Sequence, residues 1–386
     1  MKPFVTYENR IYESTHSIAH IPRRKKELML KPYQSAVIED LSQIDIVLSE
    51  STFHLFINTL EAISKLDGYA KDKFAAFPIL LLRTEALSSS QIEHYHASNR
   101  SVALAQLNKK HTKEAKIIQS NLDALIKSTS EDRNIDLNFI EDIHGYLMGD
   151  STHKDDLGIR KVVNWIGVSN LFPHEADYVP PHPDHLNVYL SQLIKFINRN
   201  DLHPLILSAF AQAYFEIIHP FIDGNGRVGR ILIQIILHRF AFTENIFIPI
   251  SVSLVKNTKR YVDSLNAFKE GYYEEAIQVI LQSILDVIPH VYSVLETMIE
   301  MKQGFLNKIK ARSDALVWQI IDDIFMQPVI DVDYIKRKHK ANDQAVRNNI
   351  EILLNAGILT KIGNNMRDVT YECKQILSIL DGFAVI

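Results

Sequence analysis

With 386 residues, 46% hydrophobic and 23% charged, the chain reads as an ordinary soluble globular protein long enough for two or three domains, and shows no low-complexity tract or internal repeat. A formal net charge of -4 excludes wholesale coating of nucleic acid, and a single cysteine, Cys373, excludes an internal disulfide and suits a reducing cytoplasm. The start, MKPFVTYENRIYES, lacks the basic-then-apolar order of a signal peptide, and no uninterrupted apolar run approaches the roughly 18 residues of a membrane span.

Helical periodicity then dominates. AVIEDLSQIDIVLSESTFHLFINTLEAISKLDGYA (36–70) and FAAFPILLLRTEALSSSQIEHYHAS (74–98) place apolar residues three and four apart. From about Asp155 to Pro183 the texture changes to short β-prone pieces with Gly, Asn and Pro, which predicts a small hairpin or flap with an exposed backbone edge. Helices resume over 186–200 and 202–218 and, after a glycine-rich stretch, over 228–242, where VGRILIQIILHRFAF is apolar on most sides, as a central buried helix is. The last part, from about 313, runs helix, break at Pro328, helix, turn, helix and two short strands around GNN, the order of a winged helix-turn-helix. These changes predict segments 1–75, 76–300 and 301–386: a helical N-terminal region, a core, and the winged helix.

The stretch IIHPFIDGNGRVGR, Ile217 to Arg230, carries the densest chemistry. A helix ending near Ile218, a tight turn and a helix beginning near Arg227 aim successive backbone N–H groups at one point, which favours an anion. Gly224 and Gly226 let a phosphate approach the backbone, and Arg227 and Arg230 share a helical face from which both can grip phosphate oxygens. Asp223 lies at the mouth of this anion site, where Mg²⁺ would bridge carboxylate and phosphate. His219 has the unperturbed pKa of a general base near neutrality. Cradle, metal site, clamps and base describe transfer of a group from a nucleotide to a hydroxyl.

His219-Pro-Phe-Ile-Asp-Gly-Asn-Gly-Arg-Val-Gly-Arg230 resembles the signature of the Fic family, HPFx(D/E)GNGRxxR, at every defining position. The resemblance implies a mainly α fold, a Fic-type helical core with a β-hairpin flap, and transfer of AMP from ATP, with Mg²⁺, to a Ser, Thr or Tyr hydroxyl of a target protein. His219 would be the base and Asp223 the metal ligand. Gly224, Asn225 and Gly226 would form the anion hole, with Arg227, Val228, Gly229 and Arg230 completing the nucleotide site: Arg227 on the inner phosphates and Arg230 on the γ-phosphate. Phe221 would anchor the loop. NWIGVSNLFPHEADYVPPHP is similar to the family's flap, so a target would add as a strand along 162–181. SLVKNTKRYVDSL resembles the segment whose asparagine, here Asn257, approaches the nucleoside; Tyr261 within it reads as a packed aromatic.

EALSSSQIEH resembles the family's inhibitory motif, (S/T)xxxE(G/N), with Ser89 at its start and Glu93 as the glutamate that would compete with the γ-phosphate for Arg230. His94 departs from the pattern, standing where Gly or Asn is usual. KRKHK (336–340) and Arg347 would let the winged helix touch DNA phosphates, although a charge run also suits a solvated face. Exposed flaps and apolar helices permit a homodimer. Removal of AMP by the same site and nucleotide sensing by a DNA-binding regulator are the competing expectations. His144, His174, His182, His185 and Trp165 read as surface or packing residues, since the histidines lack zinc-site spacing.

Overall fold

The computed structural model describes residues 2–12, 22–149, 157–167, 172–240, 242–363 and 368–383. The chain begins with β1 (Val5–Arg10), α1 (Arg23–Met29), β2 (Tyr33–Ile38), α2 (Glu50–Ala70), α3 (Phe77–Ile92), α4 (Asn99–Gln106), α5 (Lys113–Ser130) and α6 (Leu137–Met148). The middle holds α7 (Leu186–Ile197), α8 (Pro204–Ile218), α9 (Asn225–Arg239), α10 (Ser251–Lys256), α11 (Thr258–Lys269) and α12 (Tyr273–Lys308). The last part adds α13 (Leu316–Met326), β3 (Val329–Asp331), α14 (Val332–His339), α15 (Asp343–Asn355), β4 (Thr360–Ile362), β5 (Thr370–Glu372) and α16 (Lys374–Phe383). The fold is mainly α, as expected. Contact density divides it into two units that interleave along the chain: Met1–Phe56, Asp132–Leu237 and Lys259–Leu281 form the first, and Ile57–Glu131, His238–Thr258 and Gln282–Ile386 the second.

In the first unit β1 and β2 pair antiparallel from Val5 opposite Ile38 to Arg10 opposite Tyr33. The helix expected from 36 onward therefore starts only at Glu50. Ala36 to Ile38 are committed to a strand by a partner some thirty residues away, and local periodicity carries no record of such a partner. After β2 the chain turns at Asp40, whose Oδ1 accepts the Ser42 N–H at 2.9 Å. Glu274 Oε2 then accepts the Ser49 N–H and hydroxyl at 3.0 and 2.6 Å, a carboxylate at the N-terminal end of α2 where dipole and unpaired donors favour it. α8 is buried on almost every side, and its Phe210 stacks into an aromatic cluster with Phe196 at 4.6 Å and Phe268 at 4.8 Å.

In the second unit α3 buries polar side chains as well as leucines. Glu85, 1% exposed, accepts the Ser251 N–H and hydroxyl at 3.0 and 2.6 Å and so caps α10. Arg83, 2% exposed, donates from one nitrogen to Gln106 Oε1 at 2.7 Å, the Met326 carbonyl at 3.0 Å and Gln327 Oε1 at 3.0 Å. Burial pulls its guanidinium down to about 10, still charged at neutral pH.

The segment from α13 to β5 runs helix, strand, helix, helix, strand, strand, with antiparallel sheet order β3-β5-β4; the three helices and the last two strands follow the expected order, and β3 stands after Pro328 where a break alone was expected. Asn364 and Asn365 of its expected GNN turn lie outside the described residues. This segment is fastened to α4: Ala103 and Leu107 pack with Val329 and Leu377, Gln327 Nε2 donates to the Ala103 carbonyl at 2.8 Å, and Arg100 meets the buried Glu372 at 2.6 Å. The change of sequence texture near 301 is thus not a gap in packing. Within the basic run, Lys336 and Arg347 both pair with Asp343, at 3.0 and 2.5 Å, and Lys338 pairs with Asp323 at 2.7 Å.

α12 is long and apolar enough to cross a membrane by length and composition, a property the search for an uninterrupted apolar run missed. Its Ile277, Ile284, Val291 and Met298, seven apart, are fully buried, the pattern of a helix with one face in a core.

The departure at His94 has a structural answer. α3 ends with Glu93 as C-cap, the Tyr95 N–H reaching back to the Ser90 carbonyl at 3.0 Å and the His94 N–H to Gln91 at 3.0 Å. His94 itself takes φ 64°. This is the glycine-type helix end with a histidine in the left-handed position, so the geometry is kept at a steric cost. His94→Gly should therefore raise stability by about 1 kcal/mol, read as an increased urea midpoint at unchanged m-value.

Candidate active site

The site is built in the first unit around the turn from α8 to α9. α8 ends at Ile218, and His219 continues in the left-handed region at φ 50°, ψ 59°, its N–H still bonded to the Phe215 carbonyl at 3.0 Å. A non-glycine there is strained, so its neighbours must over-determine it. Arg160, 3% exposed, does much of this with four donors. Its backbone N–H meets the Pro220 carbonyl at 2.9 Å, and its guanidinium meets the carbonyls of His219 at 2.9 Å, Val162 at 3.0 Å and Pro181 at 2.5 Å. Burial lowers that guanidinium to about 10, so it stays charged at neutral pH.

Asn225 ties the loop shut. Its Oδ1 accepts the Phe221 N–H at 2.9 Å and its Nδ2 donates to the Phe221 carbonyl at 2.9 Å. The side chain is therefore spent on holding the turn, and what the position can offer an anion is its backbone N–H at the start of α9. Gly224 takes φ 83°, and a β-carbon there would lie 3.1 Å from Leu147 Cδ2 and 3.2 Å from Met148 Sδ. Asp223, with 53% of its side chain exposed, accepts the Gly224 N–H at 2.6 Å and the Arg227 guanidinium at 3.3 Å through one oxygen, Oδ1. Arg227, Val228 and Arg230 are buried on α9. Phe221 is fully buried, as an anchor should be.

Beneath the loop lies His144. Its ring stacks on Phe221 with centroids 3.9 Å apart at 11°, its Nε2 lies 3.1 Å from the Asp223 carbonyl, and its Nδ1 accepts the Gly158 N–H at 3.3 Å. Those partners require a neutral ring protonated on Nε2, and burial accordingly lowers its pKa to about 4. The sequence reading, a surface or packing histidine, left its burial open and was silent about the loop it supports. Asn164, whose Nδ2 donates to the carbonyls of Phe221 and Ile222 at 3.2 Å each, and Tyr178, whose hydroxyl donates to the Ile217 carbonyl at 2.7 Å, complete the scaffold. Arg160, Asn164 and Tyr178 belong to no spacing pattern with the motif, and only the loop's demand for donors to its carbonyls hints at them.

Among the described residues the flap's pairing is one antiparallel bridge, Ile166 with Tyr178; positions 168–171 lie outside them. The side chains of Val162, Ile166 and Ile222 are exposed beside the loop. His174, His182 and His185 serve local packing: His174 bonds the Lys31 carbonyl at 2.7 Å, His182 accepts the Asp184 N–H at 3.5 Å, and His185 lies 2.9 Å from Arg10. Tyr261 is packed, as expected, with its hydroxyl 2.5 Å from Gln212 Nε2. In the second unit, Glu93 is half-buried at the end of α3 and Asn257 is exposed as the C-cap of α10. Among the described residues no group of three or more His, Cys, Asp or Glu gathers as a metal cage.

Residues 134–237, which contain the whole of this loop, match the Fic/DOC family. This stretch of the chain is a Fic domain. The Fic domain is similar to the protein adenylyltransferase Fic of Nematostella vectensis, 31% identical over 99 residues that make up 25% of this chain and 22% of the relative. It is likewise similar to that of Drosophila grimshawi, 38% identical over 68 residues, 17% of this chain and 14% of the relative. The chain thus spans less than a quarter of either relative. A Fic family protein from Desulfovibrio desulfuricans G20 shares the fold with a TM-score of 0.56 over 86% of this chain and 98% of that one, at 16% identity.

Two measurements check the scaffold of the Fic domain. Asn225→Ala removes two buried hydrogen bonds and strands both Phe221 backbone groups, so it should cost about 2–4 kcal/mol in urea unfolding. His144 is neutral when folded, with a pKa of about 4, and takes a proton near 6.5 when unfolded. Its contribution is intact above pH 6.5, where both states are neutral, and is lost as pH falls from 6.5 to 4, where only the unfolded state gains a proton. The loss should total about 3 kcal/mol, and the same window should flatten in His144→Gln.

Proposed function

We propose that the Fic domain transfers AMP from ATP to a Ser, Thr or Tyr hydroxyl of a protein. The observation that carries this is a single one: a histidine held in a strained conformation ends one helix, the next helix is buried and carries two arginines, and a half-exposed carboxylate lies on the loop that joins them. The naming of relatives as protein adenylyltransferases supports the same class of reaction.

The chemistry follows from these groups. His219 takes the proton of the target hydroxyl, that oxygen forms a bond to the α-phosphorus, and the bond from the α-phosphorus to the β-phosphate oxygen breaks, releasing pyrophosphate. The first N–H groups of α9 receive the developing negative charge, with Arg227 and Arg230 as fixed counter-charges. Asp223 suits Mg²⁺ held through phosphates and water, since such an ion needs one or two protein carboxylates rather than a cage, and the second oxygen of Asp223 is the one available. That ion, when bound, would neutralise phosphate charge. Asn257 would approach the nucleoside, and the apolar edge at Val162, Ile166 and Ile222 is where an extended target segment would lie. Glu93 would hold the enzyme back by taking Arg230 from the γ-phosphate. His94 preserves the helix end that presents Glu93, which supports that role.

The test is transfer of α-labelled ATP onto protein, with and without EDTA, by wild type, Glu93→Gly and His219→Ala. Strong labelling by Glu93→Gly, weak labelling by wild type, none by His219→Ala and none in EDTA are expected. Equal labelling by wild type and His219→Ala would remove the base; a silent Glu93→Gly that still binds ATP would remove transfer.

A further inference from the structure

One carboxylate near the loop has no part in the chemistry above. Glu216 lies in the last turn of α8, three residues before His219. Its carbonyl oxygen is 3.3 Å from His219 Nδ1 and its carboxylate Oε2 is 4.0 Å from the same nitrogen. Both side chains are largely buried, at 10% exposure for Glu216 and 16% for His219. A network fixes the carboxylate there. Gln212 Nε2 donates to its Oε1 at 3.2 Å, and the Tyr261 hydroxyl reaches the same oxygen at 3.4 Å.

Gly229 explains how a carboxylate fits between two packed helices. A β-carbon at 229 would lie 3.2 Å from Glu216 Oε1 and 3.3 Å from Phe215 Cδ1. Such contacts are tighter than ordinary van der Waals approach, so a β-carbon there would make the carboxylate or the ring give way by a few tenths of an ångström.

We propose that Glu216 is a positioning residue for His219: it keeps the ring proton on Nδ1, makes Nε2 the unprotonated nitrogen, and supplies the counter-charge when the ring becomes an imidazolium. This rests on His219 being the base. The charged groups on the surrounding elements are Arg160, on the His219 carbonyl; Arg227, paired with Asp223, and Arg230, on α9; and Lys259, paired with Asp263, and Arg260, on α11. The Glu216 carboxylate lies 4.0 Å from the ring, and a charge at that distance in a half-shielded site moves a histidine by about one pK unit or more. The logic is that of a histidine oriented and stabilised by a neighbouring acid.

The experiment is an NMR titration of the full chain carrying ¹³C,¹⁵N-labelled histidine, without nucleotide, with the His219 signal among the 16 histidines assigned by its loss in His219→Gln. Glu216→Gln should titrate about one unit below wild type, Glu216→Asp should recover part of the difference, and Gly229→Ala, which pushes the carboxylate away, should move in the same direction as Glu216→Gln. Tyr261→Phe, which keeps the charge, should titrate at or above wild type. Coincident titrations of wild type and Glu216→Gln overturn the proposal. If Glu216→Gln does not fold, a Gly229→Ala titration that matches wild type does so. In a transfer assay the acid limb of the kcat/KM profile should fall with the NMR value. The titration is independent of transfer: unshifted values in an active chain remove Glu216 alone, whereas shifted values in a chain whose His219→Ala form is as active as wild type remove the base and leave the pairing.

Discussion

A side chain in the left-handed region costs on the order of 1 kcal/mol, and His219 adopts that conformation where the chain leaves the end of α8. The surrounding structure supplies the restraint through backbone carbonyls. Tyr178 holds the carbonyl of Ile217, Arg160 those of His219 and Pro220, and Asn164 and Asn225 share that of Phe221. A turn that points its N–H groups toward a ligand necessarily presents its carbonyls to the protein, and each needs a donor when buried. The use of a whole guanidinium on three carbonyls follows from this: Arg160 is fixed by the geometry of the backbone it serves.

The same demand for satisfied polar groups organises the second unit. α3 would read as a plain core helix but for Arg83 and Glu85, which reach out to the end of α13, to Gln106 and Gln327, and to the start of α10. Removing one partner of such a network leaves a buried charge or carbonyl unpaired, which costs more than the bond itself contributes. The helix that carries Ser89 and Glu93 is therefore tied to the C-terminal segment by specific polar contacts as well as by apolar packing, and the basic groups of that segment are engaged with Asp323 and Asp343.

Much of the site was legible because its parts are contiguous. His219, Asp223, the glycines and the arginines fall within twelve residues, and helix periodicity on both sides placed the turn to within two residues of where it lies. The β1–β2 pair was not legible: Val5 and Ile38 meet across more than thirty residues, and the helical spacing of 36–70 concealed a strand at its start. His144 read as a surface or packing histidine, and its stacking on Phe221, which buries it, joins positions 77 apart. Asn225 and Gly229 illustrate the reverse. The motif makes them nucleotide-site residues, whereas contacts show an amide that locks the turn and a missing β-carbon that admits Glu216.

The sequence by itself determined which groups stand together: a histidine, a carboxylate, a glycine-rich turn and two arginines in a fixed local order, because local spacing controls which groups share a helix end. It also determined the mainly helical class, through apolar periodicity summed over long segments. Tertiary structure alone decided which remote residues hold that turn in its strained form, where α2 begins, and how tightly the C-terminal segment is bound to α3 and α4. Those depend on pairings between distant positions, whose free energies come from burial and from satisfying particular carbonyls, and neither quantity is written in any one stretch of chain.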